Sequence, residues 1–149
     1  MDLFRLHGDY EHTLDEKGRL TLPARYRKYF EEGTVLAKLP DSDPCVLVFH
    51  PDAWAEYESR HIAPLNDFTN RKDRWKTRII FKNMSQLVPD RQGRVLIPAH
   101  FIKELGLSGK VRIIGHGNFL EIWNPATFLE CLEEWEAEDD GEEAEEGRA

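Results

Sequence analysis

Two cysteines in 149 residues, Cys45 and Cys131, are too few and too far apart for a disulfide framework, and neither belongs to a CxxC pair that would suggest a zinc cluster. No apolar run approaches the roughly twenty residues that a bilayer-spanning helix needs. The opening MDLFRLHGDYEH has no uninterrupted apolar stretch of secretory-signal length. A soluble, cytoplasmic protein with no membrane partner is the expectation. Catalytic motifs are missing as well. His7, His12, His50, His61, His100 and His116 are scattered without HExxH-type spacing, and Ser85 and Ser108 have no nucleophile-elbow context. GHGN (115–118) lacks the Lys-Ser/Thr of a phosphate-cradling loop and reads as a hairpin turn. His12 with Asp15 is explained more simply as a surface contact at a strand end than as an acid-base pair. No enzyme activity, metal, cofactor or small-molecule substrate is therefore expected.

Excess positive charge is also missing from the total, since the net charge is -8. That sum hides an uneven distribution. Residues 130–149 hold eleven acidic residues and one basic residue, a net of -10, which leaves residues 1–129 at +2. The body is mildly basic and the acidity belongs to the C-terminal end, where EAEDDGEEAEEGRA has the composition of a disordered, solubilising tail. A nucleic-acid partner for the body is not excluded.

What the chain does have is an internal repeat. DEKGRLTLPARYR (15–27) returns 75 residues later as DRQGRVLIPAHFI (90–102). Asp15/Asp90, Gly18/Gly93, Arg19/Arg94, Pro23/Pro98 and Ala24/Ala99 are identical in the two copies. Leu20/Val95, Leu22/Ile97 and Tyr26/Phe101 keep their apolar character. Downstream, GTVLAKL (33–39) matches GKVRIIG (109–115), and FHPDAW (49–54) matches WNPATF (123–128).

Each copy reads as strand, short helix, two strands and a closing helix. Leu20 and Leu22 alternate with Thr21, Val111 and Ile113 with Arg112, and Leu120 and Ile122 with Glu121, as on strands with one buried face. Pro23 and Pro98 suit a helix start, and Gly106 a helix end. Asn124 is a good N-cap for a last helix whose Phe128, Leu129, Leu132 and Trp135 form a core or interface stripe. Between the copies, 55–82 reads as a helical linker broken near Pro64, with Phe68, Trp75 and Ile79 on one face and a basic remainder. A unit of about 45 residues is too small to bury a good core alone. The two are expected to pack about a pseudo-two-fold axis, giving an α+β, predominantly β fold.

In that arrangement the two Asp-x-x-Gly-Arg turns become equivalent loops. Aspartate can bond to backbone N–H groups just ahead of it, and glycine readily takes φ > 0, so Asp15/Asp90 and Gly18/Gly93 shape the turn. Arg19 and Arg94, with Lys17, Arg91 and Gln92 beside them, can reach phosphates, and a guanidinium can read guanine. Taken singly, either arginine serves equally well as a brace for its own turn. Duplication in two matched loops favours binding to a repeated feature on a duplex.

LDEKGRLTLPARYR, DRQGRVLIPAHF and LGLSGKVRIIGHGNFLEIWNPATF together resemble the MraZ family of bacterial transcriptional regulators, and each half is similar to the AbrB-type swapped-hairpin unit. The resemblance implies two tandem AbrB-like units (9–54 and 83–128) in one swapped-hairpin barrel core. Around them come the linker 55–82, the end of a C-terminal helix at 129–138 and an acidic disordered tail at 139–149. It implies a ring-shaped homo-oligomer binding short repeats in double-stranded promoter DNA. The expected role is repression of its own gene and of the division and cell wall gene cluster, in the cytoplasm at the nucleoid. The family's DNA-binding signature, aspartate followed four residues later by arginine, falls on Asp15 and Arg19 and on Asp90 and Arg94. Lys17, Gly18, Arg91, Gln92 and Gly93 fill the same two turns. A protein-interaction scaffold and an AbrB-like antitoxin are the alternatives.

Overall fold

A computed structural model describes residues 5–146, with backbone alone for 142–146. It contains eight strands and four α-helices. β1 (Asp9–Thr13) and β2 (Arg19–Thr21) are followed by a single 3-10 turn at Ala24–Tyr26. β3 (Thr34–Ala37), β4 (Val46–Phe49) and α1 (Pro51–Tyr57) come next, and α1 runs on into a wide π-type turn at Glu58–Ile62. After α2 (Arg71–Asn83) the second copy supplies β5 (Ser85–Leu87), β6 (Arg94–Leu96), α3 (Ala99–Leu105), β7 (Lys110–Gly115) and β8 (Leu120–Trp123). α4 (Pro125–Glu146) ends the described chain. The result is an α+β fold with antiparallel strand pairing throughout.

Strand order shows how the copies combine. The larger sheet runs β1-β7-β8-β4-β3-β5, and β2 and β6 form a separate ribbon. The first strand of each copy thus lies beside the hairpin of the other: β1 pairs with β7, and β5 with β3. At two places a residue faces its own counterpart from the repeat. Leu20 lies opposite Val95 in the ribbon, and Leu47 opposite Glu121 between β4 and β8. Those self-facing pairs mark where a two-fold axis relating the copies passes.

Alternation along the strands fills both faces of the sheet. Leu36, Val46, Val48, Val111, Ile113, Leu120 and Ile122 point to one side, where Leu20, Leu22, Tyr26, Phe30, Val95, Ile97 and Phe101 close the core. Val35, Ala37, Leu47, Phe49 and Trp123 point to the other, covered by Trp54 of α1, Ile62 and Ile80 of α2. Every residue of β3 and β4 is buried, whereas β7 and β8 keep partly exposed positions. The linking helices therefore lie over the first hairpin rather than the second.

Local signals account for most element ends. Asn124 accepts from Ala126 N at 3.0 Å to cap α4, and Gly106 ends α3 in the left-handed region at φ +62°. Three differences from the sequence expectation have physical causes. The helix expected after Pro23 is only a 3-10 turn, because ARYRKYF is crowded with aromatic side chains that lose rotamer freedom in a helix. The inward face of α2 carries Thr77 and Ile80, while Trp75 is exposed and Phe68, ahead of the helix, is 95 % exposed. Asn70 restarts the helix by accepting from Asp73 N at 3.1 Å, so the phase of 55–62 does not carry through. Finally, α4 passes the expected end at 138 and the acidic segment is helical to Glu146. Glutamate and alanine are good helix formers, and each added residue needs only one more hydrogen bond once the first turn is capped. Residues 147–149 of the expected tail lie outside the described residues.

Candidate nucleic-acid interface

The turn between β1 and β2 is organised by one carboxylate. Asp15 Oδ1 accepts from the backbone N–H of Lys17 at 2.9 Å and of Arg19 at 2.8 Å, and Oδ2 accepts from Arg19 Nε at 2.7 Å. Two backbone bonds close the loop, Gly18 N to Asp15 O and Asp15 N to Arg19 O, each 3.0 Å. Gly18 sits at φ +81°, where a β-carbon would be strained.

The turn before β6 repeats this bond for bond. Asp90 Oδ1 accepts from Gln92 N and Arg94 N at 2.9 Å, Oδ2 accepts from Arg94 Nε at 2.7 Å, and Gly93 lies at φ +75°. The bonds to backbone N–H and guanidinium favour the charged carboxylate, so both aspartates are held below the ordinary range, the backbone bond from the arginine contributing most.

Each turn is also tied to the other copy. Gly18 O accepts from Ile97 N at 2.8 Å, and Gly93 O from Leu22 N at 2.9 Å. With Arg19 opposite Leu96 and Arg94 opposite Thr21, the arginines stand at opposite ends of one short ribbon.

Bracing and binding are not exclusive in this geometry. Each arginine is latched through Nε, and among the described residues no hydrogen bond engages its terminal nitrogens. The side chains are 34 % exposed at Arg19 and 27 % at Arg94. A solvent-screened ion pair of this kind adds little to stability, so its main effect is to aim the guanidinium. The flanking Lys17, Arg91 and Gln92 are exposed. Asp15 makes no bond to His12, whose imidazole is pushed below its ordinary range mainly by burial. Cys45 is buried, which pushes its thiol up and leaves a poor nucleophile. Among the described residues no helix is long and apolar enough to cross a membrane.

Two further cations stand beside the second turn that the repeat pattern did not single out. Arg27 and Lys28 share an open cleft of about 350 Å³ with Arg91 and Asp90. The available signal was a break in the repeat: Arg27 aligns with Ile102, and Arg91 with Glu16.

Matched polar turns on a duplicated, mutually strand-exchanging body define a two-unit α+β protein. The profile of the family described as "MraZ protein, putative antitoxin-like" matches residues 6–78 and 80–148. The chain is 37 % identical over 131 residues to the transcriptional regulator MraZ of Kocuria rhizophila, covering 87 % of this chain and 88 % of that one. It is 38 % identical over 129 residues to that of Saccharopolyspora erythraea, covering 87 % of each. The match to that of Carboxydothermus hydrogenoformans is 38 % over 117 residues, covering 78 % and 79 %. This chain belongs to the MraZ family. It is thereby placed with transcriptional regulators and not with enzymes.

Proposed function

We propose that this protein binds short repeats in double-stranded promoter DNA through the Asp15–Arg19 and Asp90–Arg94 turns, acting as a ring-shaped homo-oligomer. In this reading Arg19 and Arg94 contact DNA, Lys17, Arg91 and Gln92 assist, and Asp15, Gly18, Asp90 and Gly93 hold the loops in shape. The regulated genes are its own and the division and cell wall cluster, under repression, at the nucleoid of the cytoplasm. The units are read as AbrB-like swapped hairpins closing one barrel core, a reading supported by the exchange of β1 and β5 between the copies.

The observation that carries the proposal is the identity of the two turns down to the Nε latch, which aims two guanidinium groups outward from one rigid ribbon. Several such loops gain avidity when DNA repeats match their spacing. Fluorescence anisotropy on the upstream region of the protein's own gene tests it. Arg19→Ala or Arg94→Ala should cost about 1–3 kcal/mol if a base contact is lost, and mainly flatten the salt dependence if a phosphate contact is lost. Unchanged affinity in both folded variants rejects the reading.

A protein-interaction scaffold is the second reading, favoured by the acidic α4 on which Trp135 is 60 % exposed. It predicts a stoichiometric protein partner and no shift of any promoter fragment at low salt.

A further inference from the structure

The two turns share a backbone but not their surroundings. Around the second, Arg27 and Lys28 come from the first copy and Arg91 from the second, and all three are exposed along one open cleft of about 350 Å³. The stem of Arg27 lies across the loop: a β-carbon added to Gly93 would stand 2.7 Å from Arg27 Cδ. Its Nε is 3.4 Å from Leu22 O, a weak contact, and no described bond engages its terminal nitrogens. Of the two acids in the cleft, Asp90 is spent on Arg94 and its own backbone, which leaves Glu31.

Around the first turn the same positions read differently. Ile102 replaces Arg27, and its Cδ1 lies 3.0 Å from where a Gly18 β-carbon would be. Glu16 replaces Arg91, Lys17 stands where the second turn has Gln92, and Lys103 occupies Lys28's counterpart position.

We propose that the cleft formed by Arg27, Lys28 and Arg91 is a subsite for one DNA backbone phosphate, present beside the second turn and absent beside the first. The inference rests on the DNA-binding reading and deepens it. A phosphodiester fits because the cations are exposed and the cleft is open. Exposed cations hold a free anion weakly, but they gain from a phosphate delivered by a polyanion already engaged at the neighbouring turn. Since Arg27 and Arg91 belong to different copies, the site exists only where the copies meet.

The test uses the full-length protein and anisotropy on the same upstream DNA across a salt series. Arg27→Met with Lys28→Met removes both charges while keeping an apolar stem over Gly93, and circular dichroism checks the fold. The plot of log affinity against log salt should flatten by about 0.9 for each subunit engaged, with sequence discrimination unchanged. Arg27→Lys should retain the wild-type slope. Ile102→Arg with Glu16→Gln should steepen it by building the missing cation beside the first turn. An unchanged slope in the folded Met variant overturns the cleft. If Arg19→Ala and Arg94→Ala weaken binding in the same assay, the DNA reading stands without it; if they do not, both fall. Equal slopes together with selective displacement of DNA by inorganic phosphate from wild type, at constant ionic strength, would assign the cleft to a small anion and also overturn the proposal.

Discussion

The first and second turns are the most informative pair of regions in this molecule. Their aspartates, glycines and arginines make the same bonds at nearly the same distances, yet one is flanked by Glu16 and Ile102 and the other by Arg91 and Arg27. Backbone geometry has stayed duplicated while the electrostatic setting has diverged. Loop shape and loop charge are therefore separable in this fold: the carboxylate latch sets the first, and residues outside it set the second.

The comparison breaks most severely at the shared ribbon. Leu20 and Val95 face each other on the pseudo-axis and are both buried. Leu20→Ala should destabilise by about 2–5 kcal/mol, enough to disorder both turns at once. Val95→Ala removes fewer atoms and should cost less, and denaturant melts of the two variants check the order.

Next come the glycines. Alanine at either position is strained by about 1–2 kcal/mol because of its positive φ. At Gly18 the new methyl also meets half-buried Ile102, whereas at Gly93 it meets the stem of exposed Arg27, which can swing away. Gly18→Ala should therefore lower the melting temperature more, and Gly93→Ala should disturb DNA binding more through the displaced cation.

A smaller effect is expected from Glu16→Gln alone. Removing one exposed negative charge from the first turn should tighten DNA binding modestly at low salt and not at high salt, which anisotropy at two ionic strengths resolves.

Smallest of all near neutrality is the effect of pH. Because the arginine backbone N–H bonds hold Asp15 and Asp90 below the usual carboxylate range, the latch's contribution is fully present above that range and is lost as pH falls through the lowered folded values. Neither carboxylate latch should change between about pH 5 and 8. In acid, the amide NMR signals of Gly18 and Gly93 should shift together, since the same bonds hold both.

Much of this was legible from the sequence because it is local. Asp-x-x-Gly-Arg specifies its own turn, Asn124 its cap and Gly106 its helix end, and the repeat announces that a second copy must do the same. Residues 20, 22, 95 and 97 declare themselves core by alternation and are buried. What stayed hidden depends on distant partners. The buried face of α2 follows from where Asn70 restarts the helix, which a helical pattern over 55–82 broken near Pro64 does not show. The Arg27 cleft requires knowing that the first copy's 3-10 turn lies against the second copy's loop. The identities of the repeat single out Arg19 and Arg94, with Arg91 beside them; its mismatch at Arg27 and Ile102 points to Arg27.

The exchange of first strands has a consequence for how the protein comes into being. β1, at residues 9–13, has no strand partner until residues 110–115 have been made, and the turn that follows it is tied to the second copy through Ile97. Contacts so distant along the chain cannot form early in synthesis. A nascent chain stopped after the first copy would carry the Asp15–Arg19 latch but not β6, the partner strand of β2. The strand order thus ties the paired surface to a chain in which both copies are present.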